Sequence, residues 1–315
     1  MDENRYREVE QRLWAASGVT PTERFVRLPR AGVQVRIQEV GEEGPPVLFV
    51  HGGPNSGSTW APLVARLPGL RCLILDRPGT GLSDPFDWHQ HDLRTVFETH
   101  VVDVLDALEL PSAHLVGSSS GSDFAILAGA LHPDRVLRSV HMSCPGFASG
   151  IQVPFVMCLL FQPGLWRLAA RMPANEKGMI SVMRQMGHGA TLDAGRFPPV
   201  LLEWCVALFR YTHTMYWEAQ AASLMLDLKG IRPSLLFTSE ELAAVQSPSF
   251  FLWGEHDNYG DVSVGSRLVE KMPNAQLEML PGGGHLPWLD DLDRAAVVTR
   301  THILDEATEG ARHTA

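Results

Sequence analysis

Cysteine is scarce in this chain: the four present (Cys72, Cys144, Cys158 and Cys205) lie far apart among apolar neighbours and form no C-x-x-C pair. That spacing argues against a disulfide framework and against a cysteine-based zinc site, and it reads as four buried, reduced thiols. Neither a metal nor a cofactor is expected. Positive charge is also short. With 26 Lys and Arg against 36 Asp and Glu, the formal net charge is -10, so nucleic acid and anionic membrane surfaces are poor partners, and a neutral or cationic small-molecule substrate fits better. Long apolar runs are missing as well. The greasiest stretch, Val153 to Trp166, is broken by Gln162, Pro163 and Gly164, which argues against membrane insertion. The opening segment Met1 to Gly18 mixes acids and bases and has no secretory apolar region, so a cytoplasmic location is expected. A homodimer is left open.

What the chain does have is 45% hydrophobic and only 20% charged residues over 315 positions, enough for one large core with a modest added layer. Tyr6, Val9, Leu13 and Trp14 share one helical face ahead of Gly18, which predicts an N-terminal helix over residues 1–18. Two alternating runs, Arg24 to Leu28 and Val33 to Val40, predict an antiparallel hairpin. Pro46 to Val50 is instead continuously apolar, as in a strand buried on both faces of a parallel sheet.

From there strands (Cys72 to Leu75, His114 to Val116, Val136 to Met142) alternate with helices (Leu93 to Leu110, Ser122 to Leu131), the pattern of a mostly parallel, doubly wound α/β sheet. The alternation lapses between Gly146 and Leu228. Helical stretches are expected there around Phe161 to Arg171, Lys177 to Met186 and Val200 to Leu226. It resumes with strands Ser249 to Trp253 and Gln276 to Leu280 and helices Val262 to Lys271 and Asp290 to Ala307. The organisation predicted is an α/β core over 19–145 and 229–309, a helical insertion over 146–228 and a frayed tail over 310–315.

Gly117-Ser118-Ser119-Ser120-Gly121 fits G-x-S-x-G. The string is weak by itself, but it follows a buried strand and precedes a helix, the turn that lifts a serine into view and needs small flanking residues. A serine hydroxyl needs an imidazole to take its proton, and the imidazole needs a carboxylate to fix its tautomer. Among the 13 histidines, His285 alone sits in a glycine-rich loop after a late strand. Asp257 follows the buried strand ending in Trp253-Gly254 and is favoured over Glu255 and Asp261, while the segment Ser143-Cys144-Pro145-Gly146 offers no carboxylate. Backbone amides of Gly53, in His51-Gly52-Gly53-Pro54, and of Ser120 are the candidate oxyanion donors. His51 reads as a structural hydrogen-bonding residue.

Taken in order, His51-Gly52-Gly53-Pro54, Asp76-Arg77-Pro78-Gly79-Thr80-Gly81-Leu82-Ser83, the serine elbow, Trp253 to Asp257 and Gly284-His285 resemble the α/β-hydrolase superfamily. The resemblance implies that fold, a catalytic triad of Ser119, Asp257 and His285, an oxyanion hole of Gly53 and Ser120, and a cap, or lid, over the insertion. A serine in the nucleophile position separates the chain from the aspartate-nucleophile dehalogenases and epoxide hydrolases. Asn55 and the absence of a tryptophan after Ser119 depart from proline iminopeptidases.

The activity expected is cleavage of a carboxylic ester or related acyl bond of a small, apolar substrate through an acyl-Ser119 intermediate. The alternatives are an iminopeptidase-like amidase, an acyltransferase and a non-catalytic binding protein. Seven of the 11 methionines fall in the insertion, and Trp60, Met157, Phe161, Trp217 and Trp288 are the candidate substrate contacts. Methionine adapts to irregular apolar space, so the methionines and aromatic residues of the insertion fit an apolar pocket, and they fit the insertion's own small core equally well.

Overall fold

The computed structural model describes residues 1–304. Eight strands form one sheet: β1 (Thr22–Arg27), β2 (Gln34–Val40), β3 (Pro46–Val50), β4 (Arg71–Leu75), β5 (Ala113–Ser118), β6 (Val136–Met142), β7 (Ser249–Gly254) and β8 (Ala275–Leu280). Their spatial order is β1-β2-β4-β3-β5-β6-β7-β8. β2 runs antiparallel to β1 and to β4, and every other neighbouring pair is parallel.

β3 shows why the apolar run gives a central strand. Side chains alternate across a strand, and here both faces are covered. Val47 and Phe49 enter a cluster with Tyr6, Trp60 and Trp288, while Leu48 and Val50 enter the opposite one with Phe97 and Phe124. All four are fully buried, at roughly 2 kcal/mol of transfer free energy each.

Helices Leu93–Ala107 and Ser120–Leu131 cover one face, and Ala61–Val64, Leu292–Leu304 and the N-terminal helix Glu3–Ser17 cover the other. The helix expected to reach Leu110 stops at Ala107 because Glu109 turns left-handed (φ 58) and the Leu110 amide folds back on the Leu105 carbonyl. A short helix, Ser239–Ala244, was not expected, although its Thr238 and Glu241 form a capping box. The expected tail at 310–315, and the end of the last helix beyond Leu304, lie outside the described residues.

The N-terminal helix ends at Gly18, which is left-handed (φ 81). It reaches two neighbours. Trp204 Nε1 of the inserted helix Pro199–Tyr211 donates to Tyr6 Oη at 3.2 Å. Glu10 pairs with the fully buried Arg36 guanidinium at 2.6 Å, which also meets Asp76 at 2.8 Å and Glu23 at 3.1 Å.

Between β6 and β7 the chain is mainly helical, with a two-residue ribbon, Leu226–Asp227 against Gly230–Ile231. The single helix expected over Val200 to Leu226 is two, Pro199–Tyr211 and Thr214–Met225. Thr212 is extended between them and its Oγ1 accepts the Thr214 amide. Phe161, Trp166, Ala169, Ala219 and Leu226 make a separate apolar cluster, with Met157 and Met215 packed on it. Met179 and Met183 join the cluster that contains the N-terminal helix. All four cysteines are buried and unpaired.

Candidate active site

Ser119 stands alone between β5, which ends at Ser118, and the helix that begins at Ser120, at φ 51 and ψ −125. A side chain is disfavoured in that backbone region, so the turn has to be held by its surroundings. Two close approaches make the elbow possible. A Cβ on Gly121 would sit 2.0 Å from the Val50 carbonyl oxygen, and one on Gly117 would sit 2.8 Å from the Ser122 backbone. The Ser119 amide donates to Ser143 Oγ at 3.0 Å, and the Ser122 amide closes on the Ser119 carbonyl.

Asp257 follows β7 and is 5% exposed. His285 Nδ1 lies 2.9 Å from each of its carboxylate oxygens. The amides of Cys144 and Tyr259 donate to the same carboxylate, each at 3.0 Å. Burial pushes the Asp257 carboxyl upward, but the His285 imidazole and the two amides outweigh it and hold the group below its ordinary value. The neighbouring acids are engaged elsewhere. Glu255 accepts the Gly282 amide, and Asp261 caps the helix Val262–Val269. Because Ser143 holds Ser119 while Cys144 holds Asp257, two consecutive residues after β6 tie the elbow to the acid.

Gly52 and Gly53 lie on the other side. A Cβ on Gly52 would stand 2.8 Å from Ser119 Cβ, and one on Gly53 would stand 2.1 Å from Glu218 Oε2. Ser120 opens its helix, where the first amides have no partner within the helix. His51 is fully buried, with Nδ1 against the Gly52 carbonyl and Nε2 accepting the Arg77 amide. Burial, aided by Arg77, pushes its imidazole well below the ordinary value and keeps it neutral.

The five candidate substrate contacts separate. Trp60 stacks on Trp288 at 4.3 Å between ring centroids and both are buried in the interior with Phe49, so packing accounts for them. Phe161 belongs to the insertion's own cluster. Trp217 packs over Gly79. Met157 Sδ accepts from Tyr259 Oη at 3.8 Å, and the Tyr259 ring is 4.5 Å from that of His285.

The residues that went unread are Ser143, Tyr259, the Arg77–Glu218 pair and the contacts from Met186 and His188 to the His285 loop. Only Ser143 carried a local signal, a polar residue immediately after a parallel strand. Among the described residues, no cluster of three or more His, Cys, Asp or Glu could hold a metal ion, and no helix is long and apolar enough to cross a membrane.

The sequence profile of the alpha/beta hydrolase family matches residues 47–299, which include the elbow, the acid loop and the histidine loop. The chain belongs to the α/β-hydrolase family. This α/β-hydrolase is 26% identical over 279 residues to a 2-hydroxy-6-oxononadienedioate/2-hydroxy-6-oxononatrienedioate hydrolase of Paraburkholderia xenovorans, covering 84% of this chain and 89% of that one. Against a 2-hydroxy-6-oxo-6-phenylhexa-2,4-dienoate hydrolase of Burkholderia cepacia the identity is 24%, over 84% of this chain and 90% of the relative. Among solved structures, a carboxylesterase from Bacillus subtilis superposes with a TM-score of 0.76 at 22% identity, over 96% of this chain and 98% of that one. The α/β-hydrolase thus sits among proteins named as hydrolases, esterases included.

Proposed function

We propose that the protein is a serine hydrolase that cleaves a carboxylic ester or related acyl bond of a small, neutral substrate. The observation that carries the proposal is the His285–Asp257 pair, with Nδ1 at 2.9 Å from both carboxylate oxygens, tied through Ser143 and Cys144 to a serine held at the tip of an elbow. With its Nδ1 proton directed at Asp257, His285 presents an unprotonated Nε2. It takes the Ser119 hydroxyl proton as Oγ attacks the carbonyl carbon. The amides of Gly53 and Ser120 receive the developing oxyanion. His285 returns the proton to the departing alcohol oxygen, leaving acyl-Ser119. Water then attacks the acyl carbon, gives its proton to His285 and releases the acid, and the proton goes back to Ser119.

We read the inserted helices over 146–228 as a cap that selects the substrate. Arg77, against Gly52, is matched by Glu218 on the helix Thr214–Met225 at 2.9 Å, so this buried cation is already neutralised. A neutral ester therefore fits better here than the dioates for which one relative is named, and hydrolysis of such 2-hydroxy-6-oxo acids is the second reading, favoured by the 26% identity. Four buried, unpaired cysteines support a cytoplasmic location. The homodimer left open by the sequence is tested by sedimentation.

The decisive experiment compares wild type with Ser119→Ala on p-nitrophenyl esters and on a 2-hydroxy-6-oxo-dienoate, together with labelling by a fluorophosphonate. Loss of both turnover and labelling in the variant is expected, with ester turnover exceeding that of the acid. Wild-type turnover by Ser119→Ala would remove the nucleophile assignment.

A further inference from the structure

Three consecutive amides around His285 are all engaged. The Gly284 amide donates to Asp290 Oδ2 at 2.7 Å, the His285 amide to the Met186 carbonyl at 2.8 Å, and the Leu286 amide to His188 Nε2 at 3.3 Å. Two of the three acceptors therefore belong to the insertion, about a hundred residues earlier in the chain. The third is fixed by it: His188 Nδ1 lies 2.8 Å from Asp290 Oδ2, and Thr191 Oγ1 donates to Asp290 Oδ1. His188 is fully buried, and the Asp290 side chain is 6% exposed.

The fit is close on both sides. A Cβ on Gly284 would meet the Met186 carbonyl at 2.7 Å and His188 Nδ1 at 2.8 Å, and one on Gly187 would meet the His256 carbonyl at 2.1 Å. The segment from Met186 to His188 is thus wedged between the loop that carries Asp257 and the loop that carries His285.

We propose that this segment sets the position of His285 and that His188 is a positioning residue for the reaction. The proposal rests on His285 being the proton carrier described above. For Nε2 of His188 to accept the Leu286 amide, its ring proton must sit on Nδ1, facing Asp290. The imidazole is then a rigid link that takes a hydrogen bond from the His285 loop and gives one to the residue that holds the same loop from behind. A loop whose amides were left to water would let the His285 ring wander, and a displacement of about 1 Å at a reacting group lowers the rate roughly 100-fold.

The two ring nitrogens can be tested separately. The amide of Gln reaches the place of Nε2, and that of Asn the place of Nδ1. His188→Gln should keep an acceptor for Leu286 and retain kcat within about threefold, whereas His188→Asn and His188→Ala should lose kcat by about ten- to a hundredfold with KM little changed. Hydrogen–deuterium exchange of a peptide spanning residues 282–289 should accelerate in the Asn and Ala variants and not in Gln. Thr191→Val, a milder change that removes one donor from Asp290, should give a smaller loss of kcat and covers the case in which a His188 variant does not fold.

Unchanged exchange in His188→Ala would overturn the clamp. Faster exchange with unchanged kcat would overturn its positioning role. The underlying assignment has its own control. If His285→Ala kept its turnover, the reading of His285 would fall, and the positioning role with it, while the exchange results would still report on the clamp; if His285→Ala is inactive and His188→Ala is fully active, only the positioning role falls.

Discussion

Arg77 Nη2 lies 3.0 and 2.9 Å from the two carboxylate oxygens of Glu218 and 3.2 Å from the Gly52 carbonyl. One buried guanidinium therefore joins the turn after β4, the loop after β3 and an inserted helix. Burial raises the Glu218 carboxyl above its ordinary value, against the opposing pull of Arg77. Removing one partner strands a charge in the interior. Arg77→Met and Glu218→Leu are each expected to destabilise the fold by about 3–5 kcal/mol, and the double variant that carries both to recover much of that loss. Urea unfolding of the two single variants and the double checks it, and strictly additive losses would mean that the pair does not act as a unit.

Gly52 is a steric prediction. A methyl there would lie 2.8 Å from both the Ser118 carbonyl and Ser119 Cβ, so Gly52→Ala has to push the elbow or the loop aside. Ester turnover should fall by about 100-fold while far-UV circular dichroism stays that of the wild type. Full activity in this variant would show that the loop has slack.

Asp257→Asn tests the acid. An amide can place an N–H toward His285 and favour the wrong tautomer, and a loss of about 10⁴-fold in kcat is expected with little change in KM. Steady-state kinetics on a single ester decide it. A loss confined to KM would move Asp257 from catalysis to binding.

Acid stability follows from buried imidazoles. Burial depresses His100 and His141 to about 3 and His114 to about 4, against about 6.5 in an unfolded chain. Below pH 6.5 the unfolded state gains protons that the native state refuses, so the stability is whole above that pH and drains away toward the folded values. For each of the fully buried pair, His100 and His141, the loss from pH 7 to pH 5 is about 2 kcal/mol. His100 packs against Phe124, and its Nε2 has no hydrogen-bond partner among the described residues. His100→Phe should flatten the pH dependence by about that amount, measured by urea unfolding at pH 7 and 5. Equal slopes in variant and wild type would remove His100 from the account.

What was legible in the sequence was whatever local backbone geometry imposes on neighbouring residues. The elbow announces itself because Gly117 and Gly121 have no room for a Cβ, and β3 because both its faces are buried. The other strands are legible to within two residues from alternating or continuous apolar runs, β1 included although it is largely exposed. The relationships that join distant segments left no such trace. Arg77 and Glu218 are 141 positions apart, and His188 and Asp290 are 102 apart; each residue alone reads as an ordinary polar side chain. The break at Thr212 was also hidden, since its cause is a hydroxyl accepting an amide two residues on. Trp60 and Trp288 are candidate substrate contacts by sequence, but their stacked rings lie in the interior.

Arg36 has a consequence for handling the protein. Its guanidinium, fully buried on β2 near the edge of the sheet, takes part of its countercharge from Glu10 on the N-terminal helix. A translation start placed after Gly18 would therefore do more than shorten the polypeptide. It would leave a cation in the interior with an incomplete set of anions, and a polypeptide that begins there should partition further into inclusion bodies than one that begins at Met1.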